Sequence, residues 1–431
     1  MKYRTQTLLA LAIAGLVALP GCSTSSDTTV DSNEQARDAS ASGTQSANLA
    51  SNSGNLLFTG SEAGLVAVPT GSPAPSTPRL KTFSGSTSDQ FTKIAALRNP
   101  AVATKTKNVV NRSVSRAQSL AKSMARATVT INETAACVDG GTYTATGTWD
   151  DVAKTFSLTV VFSACREEGH ELNGPVAFTG SHDEITRTFT GSATAGDGDG
   201  VLEPTEDLFA RKYEELGGDP YGLEVANLVE DLTHTFTFIN TSNPPNVESA
   251  DFDMSANGAL RYTDVDSGNS ATITYTNLSF VGDHSYDNGG TPGDLPADVA
   301  DDVEDTLVTT NGGISLDAPL IDIDINYTDF RLTEHETNNY EEYTIDGTVT
   351  TDFTPDVCNE GTFSFVTNIP VRENNFGTTI AGEVVINGNV TVVFNPDGTV
   401  TVTVAGSDPV TYESWEDLEN QPGSCPIPDF E

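Results

Sequence analysis

At 431 residues, with 61 Asp and Glu against 21 Lys and Arg, the chain carries a formal charge of −40 at pH 7. A surface of that sign repels phosphate backbones, so nucleic acid is excluded as a partner. Aromatics at 7 % and charged residues at 19 % suit strands joined by turns, and the length is compatible with one extended β domain, the organisation expected here.

The N-terminus carries Lys2 and Arg4 ahead of an apolar run over residues 8–18. That run is too short to span a bilayer comfortably and ends in small residues, which reads as an export signal. It closes on Leu19-Pro20-Gly21-Cys22. These four residues resemble the lipobox of bacterial lipoproteins. The resemblance implies a signal peptide over 1–21, with Cys22 lipidated as the mature N-terminus. Ser23 in place of Asp implies sorting to the outer membrane of a diderm bacterium. No later run of eighteen apolar residues occurs, so lipid is the expected membrane contact.

Residues 22–84 are rich in Ser, Thr and Pro and read as a flexible tether, with an r.m.s. reach of about 40 Å. Residues 85–126 read as helical. Thr87 and Gln90 can cap a short helix that stops at Asn99-Pro100. Over 104–126, Val109, Val110, Val114, Leu120 and Met124 share one sector, while Lys105, Arg112, Arg116, Lys122 and Arg126 lie almost opposite. The expectation is a basic amphipathic helix packed on the following sheet. Residues 79–126 hold ten Lys and Arg against one acid, Asp89, whereas 127–431 hold 8 basic and 55 acidic side chains, so the two parts should attract.

Residues 127–431 are predicted to form an acidic antiparallel β domain: a large sheet, or a partly open barrel or sandwich. Alternating β-branched and aromatic residues mark strands over 142–149, 155–163, 175–180, 233–239, 271–281, 321–332, 343–353, 362–369, 380–386, 390–394 and 399–404. Apolar residues alternate with Asp and Asn over 321–327, which fits half-buried antiparallel strands. Asn173-Gly174, Asn257-Gly258, Asn311-Gly312, Asp346-Gly347, Asn387-Gly388 and Asp397-Gly398 are hairpin-type dipeptides. A helical insertion is expected near 201–232, in two pieces over 204–216 and 223–231. A further helix is expected over 294–306.

Four cysteines follow Cys22: Cys137, Cys165, Cys358 and Cys425. Export and an even count make two disulfides the expectation. A hairpin turning at Asp150-Asp151-Val152 would bring Cys137 to Cys165 and leave Cys358 for Cys425. Cys137 and Cys358 each precede an acid, Gly, Thr and an aromatic residue, as a duplication or two similar turns would produce.

The best candidate for chemistry is the stretch over 197–206. With Gly200 at the sharp turn, Asp197 and Asp199 fall at two ligand positions and Glu206 at the closing one, which resembles an EF-hand-type calcium loop. The competing reading is an acidic Gly-rich turn capping a helix from Pro204. The motifs Gly-x-Ser-x-Gly and His-Glu-x-x-His and a phosphate-cradling loop ending in Lys do not occur. Ser181-His182-Asp183 are contiguous, but strand neighbours point to opposite faces. The function expected is therefore a membrane-anchored, non-enzymatic envelope lipoprotein that binds an envelope protein or serves a structural role, with calcium as its candidate ion. The alternative is a carrier of a hydrophobic ligand between helix and sheet, with a surface hydrolase third.

Overall fold

The computed structural model describes residues 128–414, except 168, 184–185, 241–246, 288–302, 320, 338, 355–360 and 375–378. The expected signal peptide with Cys22, the expected tether, the basic segment over 85–126, and Cys358 and Cys425 lie outside the described residues.

The alternation expected over 321–332 is realised: Ile323, Ile325 and Tyr327 are buried while Asp322, Asp324 and Asn326 are exposed. Among the described residues every regular element is a strand of one 17-stranded sheet. These are β1 (Thr128–Ala136), β2 (Thr142–Asp150), β3 (Thr155–Glu167), β4 (His170–Asp183), β5 (Thr188–Ala195), β6 (Leu208–Leu216), β7 (Asp219–Asn240), β8 (Val247–Asp264) and β9 (Ser270–Asp287). Then follow β10 (Val303–Ala318), β11 (Ile321–Thr337), β12 (Tyr340–Thr354), β13 (Gly361–Asn374), β14 (Thr379–Ile386), β15 (Val390–Phe394), β16 (Val400–Val404) and β17 (Val410–Tyr412).

Each strand pairs antiparallel with its sequence neighbour, with one exception: β5 and β6 lie end to end between β4 and β7. The inward row is apolar and forms one cluster reaching from Val129 to Val404. Its largest buried side chains are aromatic, including Tyr143, Tyr275, Phe280, Phe330, Phe363 and Phe365. Each such side chain contributes roughly 1.5–3 kcal/mol by leaving water.

The helical insertion is not present. Residues 204–206 form a turn, and Leu208–Leu216 and Asp219–Asn240 form a hairpin across Gly217-Gly218, both at positive φ. The Glu- and Leu-containing run favours helix locally. Pairing wins because β4 and β7 flank the segment and take up its backbone groups, with Leu208 and Ala210 turned inward. Of the helix expected over 294–306, Val303 to Thr306 belong to β10, and the rest lies outside the described residues.

Four of the six hairpin-type dipeptides are not hairpin turns. Asn173-Gly174, Asn257-Gly258, Asn311-Gly312 and Asp346-Gly347 sit inside strands, next to breaks in register. In each, the Asx side chain accepts a backbone N–H from the neighbouring strand: Ala164, Asn277, Asp329 and Thr367, at 2.8, 2.6, 2.7 and 2.9 Å. Three of those four partners have positive φ. A Cβ on Gly312, itself at φ +95, would lie 2.1 Å from the Asn277 carbonyl oxygen. Bulges therefore interrupt the long strands, and at each the Gly of the Asx-Gly pair has no room for a Cβ against the facing backbone oxygen.

The Cys137–Cys165 disulfide is present, with Cα atoms 5.4 Å apart. The register that suggested it differs: Thr142 opposes Ser163 rather than Val160, because the turn spans 151–154. The cysteines meet because both lie off that ladder. Cys137 sits in the turn after β1, with its N–H on Gly141 O at 3.1 Å, and Cys165 follows the bulge at Ala164, φ 45.

Candidate functional site

Between β4 and β7 one strand position is interrupted. β5 ends at Ala195, opposite Leu232, and β6 starts at Leu208, opposite Glu230. Asp231 of β7 thus faces the break, and the loop over 196–207 leaves and re-enters there. The loop is built from Asx turns, as its Asp-Gly repeats dictate. Asp197 Oδ1 accepts the Asp199 N–H at 3.2 Å, and Asp199 Oδ1 accepts the Val201 N–H at 2.8 Å. Asp231 fastens the loop down, accepting the Gly198 N–H at 2.8 Å on Oδ1 and the Gly200 N–H on Oδ2. At its far end Asp207 Oδ2 accepts the Glu203 N–H.

This folding gathers Asp197, Asp207 and Asp231, each with one carboxylate oxygen within 4.8 Å of the others. Asp207 and Asp231 are each 1 % exposed, while Asp197 reaches solvent. A Cβ on Gly196, at φ +85, would stand 2.8 Å from Oδ1 of both Asp207 and Asp231 and 3.0 Å from the Glu230 carbonyl oxygen. Gly at 196 is what lets these oxygens close in. Burial pushes the Asp207 carboxyl above its ordinary range. The Glu203 N–H opposes that shift, the charges of Asp231 and Asp197 add to it, and the Asp197 N–H opposes it more weakly.

Of the residues picked out by the calcium-loop spacing, Asp197 belongs to this group. Asp199 and Glu206 are exposed and stand outside it. Asp207 and Asp231 escaped sequence reading. Asp207 lies one residue beyond the assumed closing position, and Asp231 is on another strand inside Val229-Glu230-Asp231-Leu232. Two adjacent acids flanked by Leu228, Val229 and Leu232 are the one local hint that they are held for something.

A second group lies at the end of the inward face where β11, β12 and β13 meet. Glu334, Glu336 and Glu341 come within 4.8 Å of one another, and Glu373, 4 % exposed, lies opposite Glu341. Tyr343, opposite Glu334, hydrogen-bonds Glu341; burial foremost, then the charge of Glu341, drives its phenol well above the ordinary range. On the outward face Arg372 pairs with Glu342 and lies 4.3 Å over the Tyr340 ring.

A groove of about 440 Å³ opens on the outward face of β7 to β10. Ile239, Val281 and Leu307 line it beside Asp251, Asp253 and Asp283. Burial and neighbouring Asp251 raise the Asp283 carboxyl. The described histidine contacts are dispersed: His284 Nδ1 is 3.0 Å from Thr306 Oγ1, and His335 Nδ1 is 2.6 Å from Asp305 Oδ1. Ser181 Oγ shares a 2.6 Å hydrogen bond with Thr190 rather than serving a triad.

Comparison with known proteins finds no matching family model, no similar curated protein and no matching solved structure.

Proposed function

We propose that this is an exported, lipid-anchored, non-enzymatic protein of the cell envelope, held at the outer membrane of a diderm bacterium through Cys22. Its acidic β domain binds a partner or serves a structural role at the end of its tether. The observation that carries this reading is the division of the sheet. One face is a continuous apolar core, and the other is lined along its length by Asp, Thr and Ser, leaving that outward face as the surface for contact. We infer that the sheet curls about its inward face, as a partly open barrel or sandwich does, because a single layer must close on its own apolar side. The Cys137–Cys165 bridge suits an oxidising compartment.

The carrier alternative draws less support. Its helix falls outside the described residues, and the outward groove is rimmed by Asp251, Asp253 and Asp283, which suit a cationic group better than an acyl chain. The basic segment over 85–126 is one such cationic group within the chain itself.

The test is fractionation of cells expressing the full chain or Cys22→Ser. The expected result is a wild-type protein in the membrane fraction and a Cys22→Ser protein released to the soluble fraction. Retention of Cys22→Ser on the membrane after a salt wash overturns the anchor.

A further inference from the structure

We propose that Asp197, Asp207 and Asp231 bind a calcium ion that clamps the loop over 196–207 into the break between β5 and β6. Calcium takes six to eight oxygen ligands at about 2.3–2.6 Å, so its ligand oxygens stand up to roughly 5 Å apart. The three carboxylates meet that spacing, within 4.8 Å of one another.

Proximity alone would not carry this, since acidic side chains are abundant in the chain. The second observation is Asp207 Oδ1. It is buried, no donor reaches it in hydrogen-bonding geometry, the Asp197 N–H acting on this carboxyl only weakly, and it faces the same point as Asp231 Oδ1 and the Glu230 carbonyl oxygen. A buried carboxylate oxygen without a donor is strongly disfavoured unless a proton or a cation meets it. Among the described residues no Lys or Arg forms an ion pair with any of the three, so no side-chain cation fills that role.

The donor set selects the ion. All the ligands are hard oxygens with no His or Cys among them, which disfavours zinc. Two carboxylates are buried and the third faces solvent, so water can complete an irregular shell. Calcium accepts that, whereas magnesium demands near-ideal octahedral geometry. Asp231 also receives the Gly198 and Gly200 N–H groups, so the residue that holds the ion positions the loop as well. This assignment replaces Asp199 and Glu206 with Asp207 and Asp231 as partners of Asp197, and it stands apart from the lipid-anchor reading.

The rival is a proton on Asp207. Calorimetric titration of the Cys22→Ser chain, freed of metal by chelator, separates the two, with calcium and magnesium chloride as probes at neutral pH. The expected result is one calcium per chain at a dissociation constant of about 10⁻⁴–10⁻³ M, at least about tenfold tighter than magnesium. Asp199→Asn should bind like wild type. Asp207→Asn should lose binding at least about tenfold while melting no lower than the metal-free wild type, which shows that it folds. Calcium should raise the Tm of the wild type and leave that of Asp207→Asn unchanged. No binding by the wild type at millimolar calcium, equal binding of magnesium, or undiminished binding by Asp207→Asn overturns the site. Each of these results is independent of where Cys22 places the protein.

Discussion

Three carboxylates converge at two places in this protein, beneath the loop over 196–207 and at the inner rim where β11 meets β12, and the surroundings differ. At the rim, Glu334, Glu336 and Glu341 are only half-buried, and the Tyr343 hydroxyl donates to Glu341. A phenol shares that charge, and Glu373, 4 % exposed and opposite Glu341, adds a fourth acid to the rim. Beneath the loop, Asp207 and Asp231 are both closed off, and no donor reaches Asp207 Oδ1 in hydrogen-bonding geometry. Burial and the supply of donors decide whether a cluster is a solvated rim or a place for a cation.

The comparison breaks most visibly at Gly196. Gly196→Ala puts a methyl group 2.8 Å from two carboxylate oxygens at φ +85, and should lower stability by about 3 kcal/mol in urea unfolding. Gly217→Ala, at positive φ but with nothing within 4 Å, should cost only about 1 kcal/mol. Equal losses would show that the oxygens do not close on Gly196.

At the rim, Tyr343→Phe removes the donor to Glu341 and should cost about 2 kcal/mol. A smaller effect of opposite sign is expected from relieving charge beneath the loop. In chelated protein Asp207→Asn should gain about 1 kcal/mol, whereas Glu336→Gln should stay within about 0.5 kcal/mol. A matching gain at Glu336 would erase the distinction between the two clusters.

The smallest effect is on pH dependence, at the acids of the open outward face. Asp283, beside Asp251, Arg331, Asp305 and His284, has a raised carboxyl, as does Asp324 beside Asp352 and Asp322; in both, burial is the main cause. The folded chain holds these protons more tightly than the unfolded one, so stability should rise as pH falls through the raised values. Asp150 and Asp264 accept backbone N–H groups in turns, Asp397 accepts the Thr399 hydroxyl and then its N–H, and all three are lowered. Their contribution is present above the ordinary Asp value and is lost as pH falls through the lowered ones. Tm against pH should therefore peak on the acid side of neutrality, and Asp283→Asn should flatten the rise while Asp397→Asn flattens the fall.

Much of the sheet was legible because its inward rows use large side chains. Residues 390–394 were read as a strand and form β15 with the same bounds. The strands that went unread have weak inward rows. β8 mixes Ala250, Ala256 and Ala259 with Phe252, Met254 and Leu260 on its inward row, and β10 interrupts Val308, Ile314 and Leu316 with Thr310 and Gly312, so their hydrophobic alternation is diluted. β6 was read as helix because its composition favours one, and pairing with β4 and β7 overrides that preference. Of the site, only Asp197 and the loop's turn chemistry were visible.

The sequence by itself determined the antiparallel β character and the acidic turn at 197–200, since each depends on alternation or spacing within a short reach of chain; the Cys137–Cys165 bridge is present, but a turn and a bulge off the expected ladder bring its cysteines together. Tertiary structure alone decided which Asx-Gly pairs turn the chain and which sit inside a strand, because an Asx side chain can cap its own turn, as Asp397 does, or accept an N–H from a neighbouring strand, as Asn257 does. It alone decided which acids meet, because Asp231 reaches the loop through the pairing of β7 with β5 and β6 across an intervening hairpin. A carboxylate's partners are set by strand register, and register is a property of the assembled sheet.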